Sequence, residues 1–307
     1  MILSIIFVVV GLCIFETVSS IDNAIINAEV LTTMGKPARR WFLSWGLIIA
    51  VILVRGLLPW AIVWAVNPAL GPLRALTAAF SGDVAAKLAV DASAPYLLLA
   101  GGIFLLFLFF HWLFMEPKEL GLPRTERFFL KQNVWFYAIA SLILLYIGHR
   151  ALAIHPMLAF AALIGSSAFF ITHGFKQNAE ASERSLMTTK KSDLSKLFYL
   201  EIIDGIFSID SVLGAFAFTL SVPLILLGNG LGAFLVRKLT MGNIERIKKY
   251  KYLKNGAMYS IFVLGLIMVL SGFGVAIPEY VSPAITIIII GYFFYRSVRA
   301  IRAENKI

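Results

Sequence analysis

Residues 201–212 read EIIDGIFSIDSV, and this stretch decides the fold because it places three carboxylates inside an apolar run. The acids are Glu201, Asp204 and Asp210, and the run extends from residue 197 to residue 220. A predominantly apolar run of ~20 residues is long enough to cross a bilayer. Ionisable side chains inside such a segment are costly and point to function. The composition of the chain decides whether a membrane surrounds them.

The composition is that of a polytopic membrane protein. The 307-residue chain is 60% hydrophobic and 14% charged, whereas a soluble domain is about half apolar and about a quarter charged. The single cysteine, Cys13, excludes an intramolecular disulfide and a cysteine-rich metal site. The first run, MILSIIFVVVGLCIF, lacks a basic start and a small-residue cleavage site, so we expect a retained first span.

The hydropathy pattern predicts an all-α fold of about nine transmembrane helices. The predicted spans are roughly 3–33, 41–66, 95–115, 133–153, 156–175, 197–220, 222–239, 256–276 and 280–298. Alternate connections and the carboxyl-terminal tail hold all of the 27 Lys and Arg residues except Arg55, Arg74, Lys87 and Arg150. The positive-inside rule then predicts an inner-membrane protein with its amino terminus outside and its carboxyl terminus in the cytoplasm. The net charge of +10 is therefore explained by basic residues on the cytoplasmic side of the membrane, and we expect no nucleic-acid partner.

The two halves of the chain carry the same short motif. We predict a first transmembrane half at 1–175, a cytoplasmic linker at 176–196 and a second half at 197–307. Aligning ETVSSIDNA (16–24) with DGIFSIDSV (204–212) on Ser-Ile-Asp matches Glu16 to Asp204, Ser20 to Ser208, Asp22 to Asp210 and Asn23 to Ser211. The first and sixth spans run in opposite directions, which predicts an inverted internal repeat with a site near the bilayer midplane.

The spacing of the acids leaves two arrangements open. Positions six apart lie about 120° apart on a regular helix, so Glu16 and Asp22 cannot point the same way on an intact one. Either the helix unwinds near the serines, which would let both acids face one site, or each helix presents its acids to different sides of a central cavity. The sequence does not choose between these arrangements.

The polar residues of these spans suit a hard divalent cation. The set contains only oxygen donors and amides, which favours Mn²⁺, Mg²⁺ or Ca²⁺ over Zn²⁺ or Cu⁺. Arg55 is the only basic residue that we expect near the acids. The alternatives for His111 are a proton relay and an interhelical hydrogen bond. For His173, near the cytoplasmic end of the fifth span, they are guarding an entry route and a structural role. The predicted metal ligands are Glu16, Asp22, Asn23, Glu201, Asp204, Asp210, Ser211 and Asn229.

The motifs ETVSSIDNA and EIIDGIFSIDSVLGAFAFT resemble the signatures of the TerC family of integral membrane proteins, and LILLGNGLGAFLVRKL extends the likeness. KYKYLKNGAMYSI is similar to a TerC-like branch that is often labelled only as a domain of unknown function. The resemblance implies membership of a wider exporter group that includes LysE-type amino-acid exporters. It also implies manganese efflux or tellurite resistance, with the acids of both motifs as the functional residues.

The leading hypothesis is a secondary transporter that exports Mn²⁺ or a related divalent cation in exchange for protons. Its partners would be the lipid bilayer, the metal ion and protons, and a homo-oligomer stays open. No nucleotide-binding glycine motif, zinc-protease motif or nucleophile elbow occurs, so we expect neither an enzyme nor a tightly bound cofactor. The alternatives are a LysE-like exporter of an organic cation, and a stress-response scaffold that recruits partners through the basic segment 237–254.

Overall fold

The computed structural model describes residues 2–57, 60–61, 64–65, 68, 71–78, 84–188, 192–242 and 247–304. It is 85% helical, and the described residues contain no strand. Seven of the described helices are long and apolar enough to cross a membrane. The prediction of an all-α polytopic membrane protein is therefore confirmed.

The first half of the chain contains nine α-helices and a π-helical stretch among its described residues. The π-helical stretch occupies Phe42–Gly46 and Ala50–Leu57, on either side of α4. The α-helices are α1 (Ile2–Ser19), α2 (Ile21–Thr32), α3 (Lys36–Trp41), α4 (Leu47–Ile49), α5 (Gly71–Ala78), α6 (Val84–Met115), α7 (Pro123–Leu130), α8 (Trp135–Leu152) and α9 (Pro156–Thr188).

The second half contains five described helices. They are α10 (Asp193–Phe207), α11 (Ile209–Ala215), α12 (Val222–Gly242), α13 (Leu253–Gly272) and α14 (Val281–Glu304). The segment predicted as a linker at 176–196 is largely helical, because α9 continues to Thr188 and α10 begins at Asp193. Residues 189–191 of that linker and residues 243–246 of the basic segment 237–254 lie outside the described residues.

Seven of the nine predicted spans contain the long apolar helices α1, α6, α8, α9, α12, α13 and α14. In the first of them, predicted at 3–33, α1 ends at Ser19 and the span continues as α2. The other two are built differently. The second span, predicted at 41–66, contains the π-helical stretch, and its residues 58–59, 62–63 and 66 lie outside the described part of the chain. The sixth span, predicted at 197–220, consists of two shorter helices, α10 and α11.

The first and sixth spans are interrupted at equivalent serines. Ser20 separates α1 from α2 with φ −91° and ψ 2°, and Ser208 separates α10 from α11 with φ −79° and ψ −10°. Both ψ values lie well above the −42° or so of a regular α-helix. Each serine hydroxyl binds one turn back: Ser20 Oγ donates to Glu16 Oε1 at 3.0 Å and Ser208 Oγ donates to the Asp204 carbonyl at 2.6 Å. The repeated motif is thus a repeated helix break.

The core of the bundle lies between α6 and α13. In the membrane-spanning part of α6, 83% of the residues are buried, against 22% in α8, so α6 is central and α8 is peripheral. Glycine brings α6 and α13 together, because a Cβ at Gly102 would lie 2.8 Å from Val269 Cγ2 and 2.9 Å from the Gly265 carbonyl. Small residues at the interface allow close packing of membrane helices, where burial of apolar surface gives little driving force.

Candidate functional site

The helix breaks direct the paired acids of the motif to different cavities. Asp204 lines a small cavity, whereas Asp22 and Asp210 line a large one. Ser20 and Asn23 contribute to the walls of both. The structure therefore combines the two features that the sequence left as alternatives: the helices are interrupted, and the acids of one motif lie on different sides.

We call the first group the arginine cluster; it comprises Glu16, Arg55, Glu201, Asp204 and Arg237. Glu16 is fully buried and forms an ion pair with Arg55, which is only 2% exposed. Arg237 Nη2 lies 3.4 Å from Asp204 Oδ2 and 3.5 Å from Glu201 Oε1. Three carboxylates thus surround two guanidinium groups, and removing one partner from such a buried group would leave an uncompensated charge.

The second guanidinium group is held by more than its two carboxylates. Arg237 donates a hydrogen bond to the Phe42 carbonyl, and its guanidinium carbon lies 4.1 Å from the centroid of the Phe42 ring. Planar guanidinium groups stack on aromatic faces in this way, which a lysine does not reproduce. The contacts fix α12 against the start of the π-helical stretch.

The arginine cluster joins the two halves of the chain. Asn23 Nδ2, from the first motif, donates to Asp204 Oδ1, from the second, at 2.6 Å. Beside them lies a cavity of about 20 Å³, which is roughly the room that one water molecule needs. Several buried oxygens around the cluster have no hydrogen-bond donor among the described residues: Glu16 Oε2, Asn23 Oδ1, Asn27 Oδ1 and Glu201 Oε2.

We call the second group the lysine cavity, a space of about 630 Å³ that Asp22 and Asp210 enter from the two breaks. Lys254, in the first turn of α13, places Nζ 2.9 Å from Asp22 Oδ2. Lys176, in α9, forms an ion pair with Asp210. The equivalent aspartates of the repeat therefore each hold a lysine from a different helix. The cavity lies where α6 ends and α13 begins, which is the predicted cytoplasmic end of the bundle.

Polar side chains line the cavity wall between the two aspartates. Lys254 Nζ also lies 3.2 Å from Glu116 Oε2, and Glu116 Oε1 lies 3.5 Å from His111 Nδ1. The rings of His111 and His173 have centroids 3.9 Å apart. His173 lies one turn before Lys176, the partner of Asp210, on α9.

Glu116 follows the last residue of α6 and is strongly acidic. Burial opposes its ionisation, but the nearby His111 ring and the positive charge of Lys254 outweigh burial and lower the pKa of this carboxyl from 4.5 to about 2. Glu116 therefore stays negative at every physiological pH. It provides Lys254 with a second counter-charge besides Asp22.

The remaining predicted ligands lie apart from these ion pairs. Ser211 is buried at the wall of the lysine cavity, and its hydroxyl donates to the Ser208 carbonyl at 2.9 Å. Asn229 is fully buried in α12, and neither its Nδ2 nor its Oδ1 has a hydrogen-bond partner among the described residues. Within the described part of the chain, no three His, Cys, Asp or Glu side chains are grouped closely enough to hold a metal. The eight predicted ligands thus do not form one cluster, and metal binding by them stays a prediction.

The expectation that Arg55 is the only cation near the acids is wrong. Lys176, Arg237 and Lys254 also reach them. The sequence assigned these three residues to the basic cytoplasmic ends of the spans, where the positive-inside rule accounts for them. Their contacts with the acids depend on how each helix is rotated within the bundle, and the positions of charges in the sequence do not reveal that rotation. The sequence did not identify Glu116 and Asn27 as site residues either, because a single polar residue near the end of a span is common.

Comparison with known proteins gives one match. The family model described as a protein of unknown function, DUF475, matches residues 21–304. No match was found among curated proteins or among solved structures.

Proposed function

The chain belongs to the DUF475 family of proteins of unknown function, and we propose that it is a secondary transporter of the inner membrane that exports a divalent metal cation, Mn²⁺ foremost, in exchange for protons. The observation that carries the proposal is the pair of repeat-related aspartates, Asp22 and Asp210, which meet one cavity from two interrupted helices and each hold a displaceable cation. Kinship with TerC-like exporters, suggested by the motifs, is part of the same proposal.

Binding of the metal would require the lysines to leave. An ion approaching Asp22 competes with the ammonium group of Lys254, which lies between Asp22 and Glu116 at 2.9 Å and 3.2 Å. Lys254 can therefore release Asp22 and keep a full ion pair with Glu116. The lysine supplies a positive charge for Asp22, which lies inside a predicted membrane span, whenever the metal is elsewhere.

The arginine cluster is suited to a different task. Its carboxylates pair with guanidinium groups, which do not lose their charge at any physiological pH. Glu16 and Arg55 are almost completely buried, so exchange of partners there would expose a charge to an apolar interior. We therefore assign the transported ion to the lysine cavity, and the arginine cluster to holding the two halves together.

The test measures Mn²⁺ transport into proteoliposomes and Mn²⁺ binding by titration calorimetry at two pH values. Asp22→Asn and Asp210→Asn each remove one charge from the cavity, and we expect each to weaken binding at least about tenfold, as loss of a supporting group around a metal does. Glu304→Gln is the matched control, because Glu304 pairs with Lys251 at 2.7 Å on the surface. Transport that survives both cavity substitutions, or that falls equally in Glu304→Gln, would refute the proposal.

A second candidate is export of a small organic cation. The lysine cavity, at about 630 Å³, falls within the ~300–1,000 Å³ of small-molecule sites and exceeds what a bare ion needs. An ammonium group would take the place of Lys254 or Lys176 on its aspartate. Competition decides between the candidates: if lysine or arginine binds and Mn²⁺ at saturating concentration does not displace it, the substrate is organic.

A further inference from the structure

Arg150 is a charged residue that the proposed transport site does not use. It is one of the four basic residues outside the cytoplasmic pattern, and it lies exposed in the last turn of α8. No acid in the described part of the chain forms an ion pair with it. A guanidinium at the end of a membrane helix reaches the interface with its charged head, while its stem covers apolar surface.

Arg150 stands at one end of an apolar groove. A space of about 750 Å³ lies between α6, α8 and α13, and among the described residues that line it Arg150 is the only charged one. Leu142 and Tyr146 of α8 are 62% and 68% exposed, so the groove opens sideways toward the hydrocarbon. Leu266 and Leu270 form the wall on α13.

The length of the groove matches one leaflet of a bilayer. The lining follows α8 from residue 142 to its end at Leu152 and α13 from residue 262 to its end at Gly272. Each stretch is ~15 Å long at a rise of 1.5 Å per residue. A hydrocarbon core of ~30 Å gives each leaflet ~15 Å. The groove therefore extends from the interface at Arg150 to about the midplane and offers apolar walls throughout.

We propose that this groove binds one phospholipid, whose acyl chain lies along α8 and α13 and whose phosphate contacts Arg150. Guanidinium pairs with phosphate through two parallel hydrogen bonds, and basic pockets between membrane helices bind lipid headgroups in this way. Inorganic phosphate alone would leave the apolar walls uncovered. A second copy that packed its own groove against this one would bring two Arg150 side chains together without a counter-charge, because no described lining residue is acidic. A phospholipid supplies a phosphate for Arg150 and an acyl chain for the apolar walls.

Native mass spectrometry of the purified protein tests the assignment. The probes are phosphatidylglycerol and a diacylglycerol with the same chains and no phosphate, each added at equal concentration. We expect one phosphatidylglycerol per chain in the wild type, and about tenfold weaker retention in Arg150→Gln, because a hydrogen bond to a charged group is lost. Leu266→Trp fills the groove and should prevent retention of both probes.

Arg299→Gln is the matched control, because Arg299 is also an exposed arginine near the end of a membrane helix and does not line the groove. Retention should be unchanged in this variant. Equal retention of both probes by the wild type, or unchanged retention in Arg150→Gln and Leu266→Trp, would overturn the proposal. If the wild type is instead a dimer that retains no lipid, and the dimer dissociates in Leu266→Trp, then the groove binds a second copy of the chain and the lipid proposal is wrong. The lipid assignment does not depend on transport, so failure of either leaves the other intact.

Discussion

Each acid of the two motifs is neutralised by a cation from another helix. Glu16 and Asp204 hold arginines, while Asp22 and Asp210 hold lysines. The sequence identified these four acids and Glu201, which shares Arg237 with Asp204, because charged residues stand out inside an apolar run. It could not identify their partners, since a lysine near the end of a helix looks the same whether it faces solvent or reaches back into the bundle.

The ion pair between Glu16 and Arg55 gives a stability prediction. In Arg55→Gln the fully buried carboxylate of Glu16 loses its cation, and we expect the free energy of unfolding to fall by about 3–5 kcal/mol. The double variant Glu16→Gln/Arg55→Gln should recover part of this loss, because no charge is left unpaired. Thermal unfolding in detergent measures both. A double variant that is less stable than Arg55→Gln would contradict the pairing.

The acidity of Glu116 gives a pH prediction. Its pKa is about 2 in the folded chain and 4.5 ordinarily, so the unfolded chain takes up its proton first as pH falls. The stability that this carboxylate contributes is fully present above pH 4.5 and disappears between 4.5 and about 2. Glu116→Gln should therefore melt below the wild type at pH 5, and the margin should shrink as the pH falls from 4.5 toward 2. A margin that stays the same from pH 5 to pH 3 would contradict this prediction.

The helical elements show how far periodicity and motif comparison can reach. Seven spans contain long apolar helices, and the serines of the repeated motif identify where the first and sixth spans are interrupted. The sequence did not predict the π-helical stretch in the second span, because the composition of this stretch is that of any apolar helix. Its geometry depends on packing against α12 and α10, which the sequence does not display.

The contact between α1 and α12 depends on Gly232. A Cβ there would lie 2.6 Å from Glu16 Cβ and 2.8 Å from the Cys13 carbonyl. We expect Gly232→Ala to lower the free energy of unfolding by about 1–3 kcal/mol through overpacking. Gly148→Ala in α8 is the matched control: nothing lies within 4 Å of its Cβ, and it should keep or raise stability by about 0.5–1 kcal/mol. Thermal unfolding of the two variants measures the difference. Equal melting temperatures would contradict the close contact between α1 and α12 at Gly232.

The complete bundle was predictable in class, and less so in its interior. The inverted repeat stays a prediction, and the structure brings its two motifs into contact through Asn23 and Asp204. The division of the acids between two cavities depends on small rotations at Ser20 and Ser208. A shift of one backbone dihedral by about 40° from its helical value is enough to turn a side chain toward another cavity, and no sequence pattern encodes its direction.

The predicted orientation in the membrane is open to direct test. In a Cys13→Ala background, we expect Ala153→Cys to react with a membrane-impermeant maleimide from outside, because Ala153 follows α8 at the predicted outer end. Lys249→Cys should react only after the membrane is opened, since Lys249 is an exposed residue of the basic segment. Labelling of intact cells and of inverted vesicles measures both. The reverse pattern would place the amino terminus in the cytoplasm.

The position of Lys254 has a consequence for affinity. A tethered ammonium group acts as a built-in competitor whose effective concentration near Asp22 is set by the short chain that carries it, which for flexible tethers is in the millimolar range. Any ligand must outcompete it, so apparent binding is weaker than the aspartate alone would allow, and release is correspondingly faster. Because Lys254→Met removes this competitor, we expect the variant to bind the ligand more tightly and to turn over more slowly.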